Sequence, residues 1–285
     1  MGKSRNRNLY LLAGCLLLLL LISCLSPFFL GDSITKVHLG NALQAPNSQE
    51  WFGTDAVGRS VFARTLSGGV QTVVPAVGIL LFVTLVGSFI GVTSALIGGK
   101  LDRAVFLFIT AFQSLPSIVL VIAIVSILGV GLQQTVIAIG LTAWTKYAYI
   151  MRSLTLRLKN EFYVQSAKMY GNSFWKTVKN YYVPSLFPQI VTTMTFNVSA
   201  IIMEIAGLSF VGLGAQAPSP EWGAMMNDGR TYIQEAPWIV AFPCIFLIGI
   251  ILLVTKFGDA LQTCVNKNNQ SLGFYNEEIL EISCY

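Results

Sequence analysis

Long apolar runs alternate with shorter polar segments along most of the chain. An α-helix needs about 20 predominantly apolar residues to cross the hydrocarbon core of a membrane. We therefore predict an all-α integral membrane protein with six transmembrane helices. They are expected at Leu9–Leu30, Val70–Ile97, Ala104–Leu128, Gln134–Met151, Pro188–Leu213 and Pro237–Phe257.

The polar segments between these runs carry charges that predict how the chain is oriented. Segment 152–187 contains six Lys or Arg residues and one Glu, whereas segment 214–236 contains one Arg and three acidic residues. Lys and Arg concentrate in the cytoplasmic loops of membrane proteins, so we predict that both termini are cytoplasmic. The chain then divides into a cytoplasmic N-terminus at 1–8, a first transmembrane helix at 9–30, an extracytoplasmic segment at 31–69, a core of five transmembrane helices at 70–265 that includes the loop 152–187, and a cytoplasmic tail at 266–285.

The composition favours a membrane protein over other classes. Hydrophobic residues make up 54% of the chain and charged residues 11%, with a mean hydropathy of +0.67, whereas a soluble domain has about 25% charged residues. The charges lie between the apolar runs, as signals of membrane topology do, so we predict no nucleic-acid partner despite the net charge of +5. The N-terminal apolar stretch continues past Cys24, which favours an uncleaved first helix over a signal peptide.

No group of residues in the sequence has the pattern of a catalytic or metal site. The Gly-rich loop ending in Lys and Ser or Thr, which cradles nucleotide phosphates, is absent, so the chain is not expected to bind ATP itself. The five cysteines lack metal-ligand spacing, and His38 lies alone in a polar segment. We therefore predict no catalytic residue, no metal site and no cofactor in this chain.

Two ionisable residues lie within predicted spans. Ionisable groups inside the bilayer are costly, and they commonly serve a function. Glu204, in the outer part of the fifth span, can act in gating or contact a polar or cationic substrate, and it can equally form a structural hydrogen bond to a neighbouring helix. Lys146 lies near the inner end of the fourth span, where we expect its side chain to reach toward the membrane surface.

The loop 152–187 begins with the pattern of a short amphipathic helix that ends at a glycine. Its apolar residues recur at roughly helical spacing, at Leu154, Leu158, Val164 and Met169. Gly171 follows, and glycine readily adopts the left-handed conformation that commonly ends a helix. We therefore predict a helix that stops at a bend around Gly171.

A second short helix is predicted after the bend. Ser173 is a good N-cap, and Pro184 is expected to end this helix before the next span. Phe174 and Trp175 place large aromatic side chains at its start. Such side chains suit a pocket on another protein, but a basic amphipathic segment can also lie on anionic lipid. The residues alone leave both interpretations open.

The spacing of small residues in this loop resembles the EAA signature of importer-type ABC transporter permeases. Gln165–Ala167 corresponds to its small-residue triplet, Gly171 to its glycine and Pro184 to its distal proline. The triplet departs from the family pattern, with Gln in place of Glu and Ser in place of the first Ala. The resemblance implies a coupling helix that inserts into a cleft of an ATP-binding subunit, with contacts from Gln165, Ser166, Ala167, Tyr170, Gly171, Asn172, Ser173, Phe174 and Trp175.

Further segments resemble one branch of this family. Trp51–Arg64 is similar to the segment before the second span in peptide and nickel permeases, and similar matches to that branch are found at Leu208–Gly214, Pro218–Met225 and Gly258–Leu261. The resemblance covers roughly residues 9–265 and indicates the second, or C, permease of dipeptide, oligopeptide and nickel importers. It implies the type I ABC importer permease (MetI-like) fold.

The resemblance also implies a function and a set of partners. The chain is expected to form half of the translocation pore of an ATP-driven importer in the bacterial inner (plasma) membrane, with a second homologous permease completing a heterodimer. Two ATP-binding subunits would bind ATP and Mg²⁺, and an extracytoplasmic substrate-binding protein would deliver short peptides or a chelated nickel or other metallophore complex. The alternative is a secondary transporter or channel without an ATPase partner.

Site residues outside the loop 152–187 follow from the same resemblance. In the family the fifth span lines the translocation path, so Met203, Glu204 and Phe210 are candidates for the pore or its gate. The tryptophans of the outer segments suit the aromatic belt of a membrane protein. These segments are also where a loaded binding protein would dock, through Trp51, Asp55, Arg59, Glu221 and Trp222.

Overall fold

Helices form almost all of the regular structure. A computed structural model describes residues 2–271 of the 285-residue chain, and no β-strand occurs within that range. This architecture confirms the predicted all-α fold class. The helices are α1 (Gly2–Thr35), α2 (Val61–Ile97), α3 (Gly99–Gln113), α4 (Ser117–Leu128), α5 (Leu132–Lys159), α6 (Phe162–Met169), α7 (Phe174–Thr177), α8 (Val183–Phe210), α9 (Trp222–Gly229) and α10 (Trp238–Ser271).

Several of these helices are long and apolar enough to cross a membrane. Within the described chain, four segments meet this criterion alone: Tyr10–Gly31, Val61–Ile97, Phe174–Phe210 and Trp238–Cys264. Helices α3 and α4 make a fifth candidate if the bent pair counts as one span. The predicted fourth span, Gln134–Met151, lies within α5, which is not among these candidates because Gln, Thr and Lys side chains interrupt its apolar run. A multi-pass protein is confirmed. The described residues contain four or five candidate spans, however, and not the six that were predicted.

The predicted third span, Ala104–Leu128, is not one continuous helix. Helix α3 ends at Gln113, α4 begins at Ser117, and the two are bent by 86° relative to each other. Pro116 accounts for the break, because proline has no N–H to donate and its ring disfavours the helical conformation in the residue before it. The prediction of an unbroken span is therefore wrong at this point.

Pro184 acts differently from the prediction. It lies in the first turn of α8, directly after a π-helical turn, a position at which proline is tolerated. A π-helical turn at Val178–Tyr182 joins α7 to α8, and the apolar helical segment runs from Phe174. The prediction that Pro184 ends a helix is wrong, because the helical path continues through it.

Two further helices extend past their predicted ends. Helix α2 starts at Val61 instead of Val70, so the outer part of the helix belongs to what the sequence predicts as an extracytoplasmic segment. Helix α10 continues to Ser271, beyond the predicted end at Phe257. The rest of the predicted tail, 272–285, lies outside the described residues.

Helices α2 and α5 pack closely because small residues line their contact. A Cβ atom added at Gly87 would collide with the backbone of Trp144, and one added at Gly91 would collide with the backbone of Ala148. Close backbone approach through small residues is a common way for helices to associate in membranes. Buried apolar side chains extend the core along this contact, among them Ile79, Leu80, Val83, Ile139, Ile202 and Ile205.

An ion pair holds α3 against α5 near the start of the loop 152–187. The Arg152 guanidinium donates two hydrogen bonds to the Asp102 carboxylate, at 2.6 and 2.7 Å. Its Cζ atom also lies 4.4 Å from the centroid of the Phe106 ring, a distance at which a cation and an aromatic face attract each other. Bidentate arginine–carboxylate pairs fix geometry, so this pair sets where the loop leaves the bundle.

Candidate functional site

The bend in the loop 152–187 has the predicted conformation. Gly171 has a φ of +77°, a left-handed conformation that glycine adopts without steric cost. The Asn172 N–H donates to the carbonyl of Ala167 at 3.2 Å, as in the Schellman motif that ends many helices. Ser173 then occupies the N-cap position of α7, although its hydroxyl makes no capping hydrogen bond. The two short helices are thus joined by a defined turn.

One face of α6 is anchored to the bundle. Val164 is fully buried and Ala167 is 5% exposed. Val164 forms a small apolar cluster with Tyr182 and Leu186, and side chains from α2 and α5 pack against it. This anchoring cluster, Val164, Tyr182 and Leu186, links α6 directly to the helix that continues into the fifth span.

Large side chains project from this loop on the other side. We call this group the exposed tip. The exposed fractions of its side chains run from 52% for Phe174 to 89% for Tyr170, and the rings of Phe174 and Trp175 lie 5.4 Å apart. Several large apolar side chains exposed on one short loop are typical of an interaction site. The tip consists of Phe162, Met169, Tyr170, Phe174 and Trp175.

The predicted coupling residues take different positions in this arrangement. Tyr170, Phe174 and Trp175 belong to the exposed tip. Gln165 is also exposed, whereas Ala167 faces the bundle. The loop therefore brings the predicted aromatic residues together, and the small residue of the triplet permits close packing behind them.

Two members of the exposed tip are not predicted as such from the sequence. Met169 belongs to the predicted apolar stripe but not to the predicted coupling contacts, and its side chain is 85% exposed. Phe162 is absent from the predicted set and is 83% exposed. Its position two residues before the buried Val164 is the signal that could identify it, because residues two apart lie on different sides of a helix.

A cavity of about 560 Å³ lies where the α3–α4 corner meets α5 and α8. Lys146 and Glu204 both line it, and the Lys146 Nζ atom donates a hydrogen bond to Oδ1 of Asn197 at 2.8 Å. The Lys146 side chain therefore binds a neighbouring helix instead of reaching toward the membrane surface. This corrects the interpretation drawn from the sequence.

Only one of the three pore candidates lines this cavity. Glu204 belongs to its wall, whereas Met203 and Phe210 do not, and their side chains are 65% and 40% exposed. The sequence prediction does not include Lys146 or Asn197 as site residues. Asn197 precedes Glu204 by two helical turns, so the two lie on the same face of α8. That spacing is a signal from which Asn197 could be identified.

At the other end of the bundle, the Asp55 carboxylate is bound by two arginines. Its Oδ2 atom lies 2.6 Å from Nε of Arg59 and 3.6 Å from Nε of Arg64. Its Oδ1 atom accepts a hydrogen bond from the Arg59 backbone N–H at 2.9 Å. All three side chains are buried. Because a buried charge must be paired, this contact fixes the chain just before α2.

Arg64 joins three separate segments through their backbone. Its Nη1 atom donates to the carbonyls of Ile34 at 3.2 Å and Pro218 at 3.1 Å. Its Nη2 atom donates to the carbonyl of Ser219 at 3.3 Å. The Arg64 guanidinium therefore joins the end of α1, the first turn of α2 and the loop after α8. Arg64 is 1% exposed.

Glu221 and Trp222 are buried in the same region. Glu221 accepts hydrogen bonds from the Thr72 hydroxyl at 3.1 Å and from the Ala224 N–H at 2.9 Å, so it caps α9. Burial raises the pKa of its carboxyl above the usual value, and these hydrogen bonds act in the opposite direction. The Trp222 indole donates to the carbonyl of Thr65 at 2.8 Å.

The structure therefore changes the interpretation of the predicted docking residues. Trp51 has an exposed side chain, at 65%. Asp55, Arg59, Glu221 and Trp222 are buried and hold the outer segments in place. Their side chains do not reach the surface that a second protein would contact. Four of the five predicted docking residues therefore shape this region from within, and docking at the region itself stays a prediction.

Taken together, these features define a class of protein. Several apolar spans, a cavity beside them that contains Lys146 and Glu204, and an exposed apolar tip at one end are the elements of a multi-pass membrane transport subunit. Residues 84–269 match the family described as binding-protein-dependent transport system inner membrane component. The chain belongs to this family, and it is a permease subunit of an ABC importer.

Relatives of the chain match most of its length. The dipeptide transport system permease protein DppC of Alkalihalophilus pseudofirmus is 31% identical over 94% of this chain and 89% of its own length. The nickel transport system permease protein NikC of Escherichia coli K12 is 32% identical over 86% of this chain and 88% of its own. The glutathione transport system permease protein GsiD of Pectobacterium atrosepticum is 34% identical over 80% and 76%.

The fold matches that of a solved transporter. A structure of the MetNI methionine ABC transporter in an inward-facing conformation superposes with a TM-score of 0.56, at 19% identity, over 71% of this chain and 96% of the matched chain. This likeness supports the predicted MetI-like permease fold. Family membership implies a non-catalytic, multi-pass membrane subunit that works with ATPase and binding-protein partners.

Proposed function

We propose that this chain forms one half of an import pore and that a second, homologous permease forms the other half. The cavity beside α5 and α8 supports this arrangement, because charged side chains line a space that is partly open when one chain stands alone. A heterodimer would enclose these groups between two permeases. Within this pore, Glu204 is proposed to line the substrate path, with Met203 and Phe210 of the same helix contributing to its gate.

Coupling to ATP is proposed to occur through the exposed tip. This is the observation that carries the functional proposal, because five large side chains lie uncovered on a turn whose other face is anchored. We infer that two partner subunits bind ATP and Mg²⁺ and that the tip fits a cleft on one of them. Closure of those subunits would push α6, and the anchoring cluster would pass the movement to α8.

The substrate is proposed to be a short peptide or a chelated nickel complex, delivered by an extracytoplasmic binding protein. The names of the relatives support this range, since they describe permeases for dipeptide, nickel and glutathione transport. The exposed Trp51, next to loops held by buried ion pairs, is a suitable contact for a docked binding protein. Rigid loops favour docking because little conformational entropy is lost on binding.

The proposed location is the bacterial inner (plasma) membrane with both termini in the cytoplasm. The charge distribution supports this orientation. Six Lys or Arg residues in the loop 152–187 and one in the loop 214–236 follow the positive-inside rule only if the exposed tip faces the cytoplasm. This orientation brings the tip to the compartment that contains ATP.

Truncating the exposed tip tests the coupling proposal. The variant Tyr170→Ala with Trp175→Ala removes two aromatic side chains that anchor protein interfaces most strongly. We expect detergent-extracted protein to carry about tenfold less ATPase subunit than the wild type, because each lost anchor weakens binding substantially. The measurement is quantitative co-purification through a tag on this chain.

A matched control truncates an exposed aromatic side chain at the other end of the bundle. Trp51→Ala should leave the amount of co-purified ATPase unchanged, because Trp51 precedes the start of α2, whereas Lys159 of the loop 152–187 contacts Ala95 near the end of α2. The coupling proposal fails if the wild-type chain carries no ATPase subunit, or if the tip variant carries as much as the wild type.

A further inference from the structure

The cavity beside α5 and α8 contains two opposite charges that do not meet. Lys146 and Glu204 both line it. Among the residues that the structure describes, no hydrogen bond or ion pair joins the two side chains, and the Glu204 carboxylate accepts no hydrogen bond from any other group. Two neighbouring charges with a purely structural role would be expected to form a direct pair, because ionisable groups at membrane depth are costly.

The Lys146 ammonium is held in place while keeping most of its binding capacity. It has three N–H donors, and one of them is used by Oδ1 of Asn197 at 2.8 Å. The Asn197 amide is itself fixed, because its Nδ2 atom donates to the carbonyl of Thr193 at 2.6 Å. The remaining donors of Lys146 are available to an anionic group in the cavity.

The size and walls of the cavity suit a small organic molecule. Its volume of about 560 Å³ lies within the range of about 300–1,000 Å³ that is typical of small-molecule sites. Apolar side chains such as Leu120 and Ile201 line it beside hydroxyl-bearing Thr142. Apolar walls with a few fixed polar groups at separate positions are typical of sites that orient a ligand.

We propose that Lys146 and Glu204 form a two-point subsite for a zwitterionic substrate in the translocation path, with Lys146 binding a carboxylate and Glu204 binding an ammonium group. This inference rests on the proposed function of the chain as half of an import pore. It narrows the substrate class, because a short peptide carries both groups at its ends. A bare divalent cation would use Glu204 alone and would be repelled by Lys146.

Uptake of a labelled dipeptide by the complete importer tests the subsite. The complex, with its partner permease, ATPase subunits and binding protein, is reconstituted in liposomes and supplied with radiolabelled alanyl-alanine. We expect Lys146→Met to lower uptake about tenfold, because a charge-assisted hydrogen bond to the carboxylate is lost. Glu204→Gln should lower uptake to a similar degree through the ammonium group. Lys146→Arg and Glu204→Asp keep the charges and should retain most of the uptake.

Modified peptides show which protein group meets which peptide group. The C-terminal amide of the dipeptide lacks the carboxylate, and the N-acetyl form lacks the ammonium group. Lys146→Met should not further lower import of the amide, and Glu204→Gln should not further lower import of the acetylated form, since coupled partners give non-additive losses. Additive losses in both pairs would overturn the subsite.

Two controls separate a failure of the subsite from a failure of the pore. Lys256→Met removes an exposed lysine from α10, outside the cavity lining, and should leave uptake unchanged. ATPase activity stimulated by the loaded binding protein reports whether each variant is assembled. The subsite is rejected if Lys146→Met imports dipeptide like the wild type, or if Lys146→Arg is as inactive as Lys146→Met while stimulation persists. A wild-type complex that imports chelated nickel but not the dipeptide overturns the subsite and leaves the pore in place, whereas one with neither stimulation nor uptake for both substrates rejects the proposed function itself.

Discussion

The guanidinium of Arg64 is closed to solvent and surrounded by acceptors from distant parts of the chain. It contacts the carbonyls of Ile34, Pro218 and Ser219 and lies near the Asp55 carboxylate. Each hydrogen bond from a charged donor to a carbonyl is stronger than a neutral one. Because the carboxylate balances the charge, the site remains favourable despite its burial.

Replacing Arg64 should therefore destabilise the outer face of the protein. Arg64→Met keeps most of the volume but removes the donor from three backbone carbonyls and one of two arginines from the Asp55 carboxylate. Leaving a buried acceptor without a partner costs about 1–3 kcal/mol. We expect a clearly lower melting temperature in detergent and less protein in the membrane. The matched control is Arg230→Met at an exposed position of the same face, which should melt like the wild type. Equal melting of both variants would contradict the role assigned to Arg64.

The burial of these residues could not be predicted from the sequence. The pattern of residues 51–64 and 218–225 indicates an important outer region, and the charged and aromatic residues in it are natural candidates for a docking surface. Their burial depends on contacts between Arg64 and carbonyls more than 150 residues away in the chain, as with Pro218. The local sequence pattern carries no information on such a distant contact. It therefore cannot distinguish a charged residue on the surface from one that is buried.

At the scale of helices, the close approach of α2 and α5 gives a matched pair of substitutions within one helix. Gly91 lies against the backbone of Ala148, whereas Gly78 has open space where a side chain would extend. We expect Gly91→Leu to destabilise the protein by at least about 1–3 kcal/mol, the usual cost of overpacking a filled contact. Gly78→Leu should be tolerated.

The comparison is read from melting temperatures of the two purified variants. Both substitutions replace glycine by leucine in α2, so they share the change in helix propensity and differ in what the new side chain meets. Equal melting of the two variants would show that the α2–α5 contact is not as close as described.

Two prolines show what can and cannot be predicted about helix ends from local sequence. Pro116 and Pro184 obey the same chemistry, yet one separates α3 from α4 and the other lies within a continuous helical path. The difference lies in the surroundings, since Pro116 is the residue before a new helix that starts in another direction, whereas Pro184 follows the π-helical turn that joins α7 to α8. The sequence shows where the prolines are, but it does not show where each helix begins. Apolar runs therefore predict the number and order of most helices better than their ends.

At the scale of the whole molecule, the orientation of the bundle can be tested by labelling. All five cysteines are replaced by serine, and a single cysteine is introduced by Trp51→Cys or by Lys100→Cys, both at exposed positions. A membrane-impermeant maleimide should label the first variant in intact cells. It should label the second only after the membrane is opened, because Lys100 lies at the end of the bundle that carries the loop 152–187. The reverse pattern would invert the proposed topology.

The candidate site could be predicted only in part at this scale. Glu204 is identifiable from the sequence because an acidic residue in an apolar run is conspicuous. Lys146 is not, because its position near a predicted helix end offers an easy route to the membrane surface. The cavity exists only where the α3–α4 corner, α5 and α8 meet, and that corner depends on a bend that the apolar pattern does not reveal.

The contacts of Arg64 also bear on how the outer loops can change during evolution. Its hydrogen-bond acceptors at Ile34, Pro218 and Ser219 are main-chain oxygens, which every amino acid supplies. Substitutions at those partner positions can alter the surface offered to a binding protein without removing the acceptors. Arg64 thus holds the three segments together. The neighbouring loops can change in sequence as the binding protein that is proposed to dock on them changes.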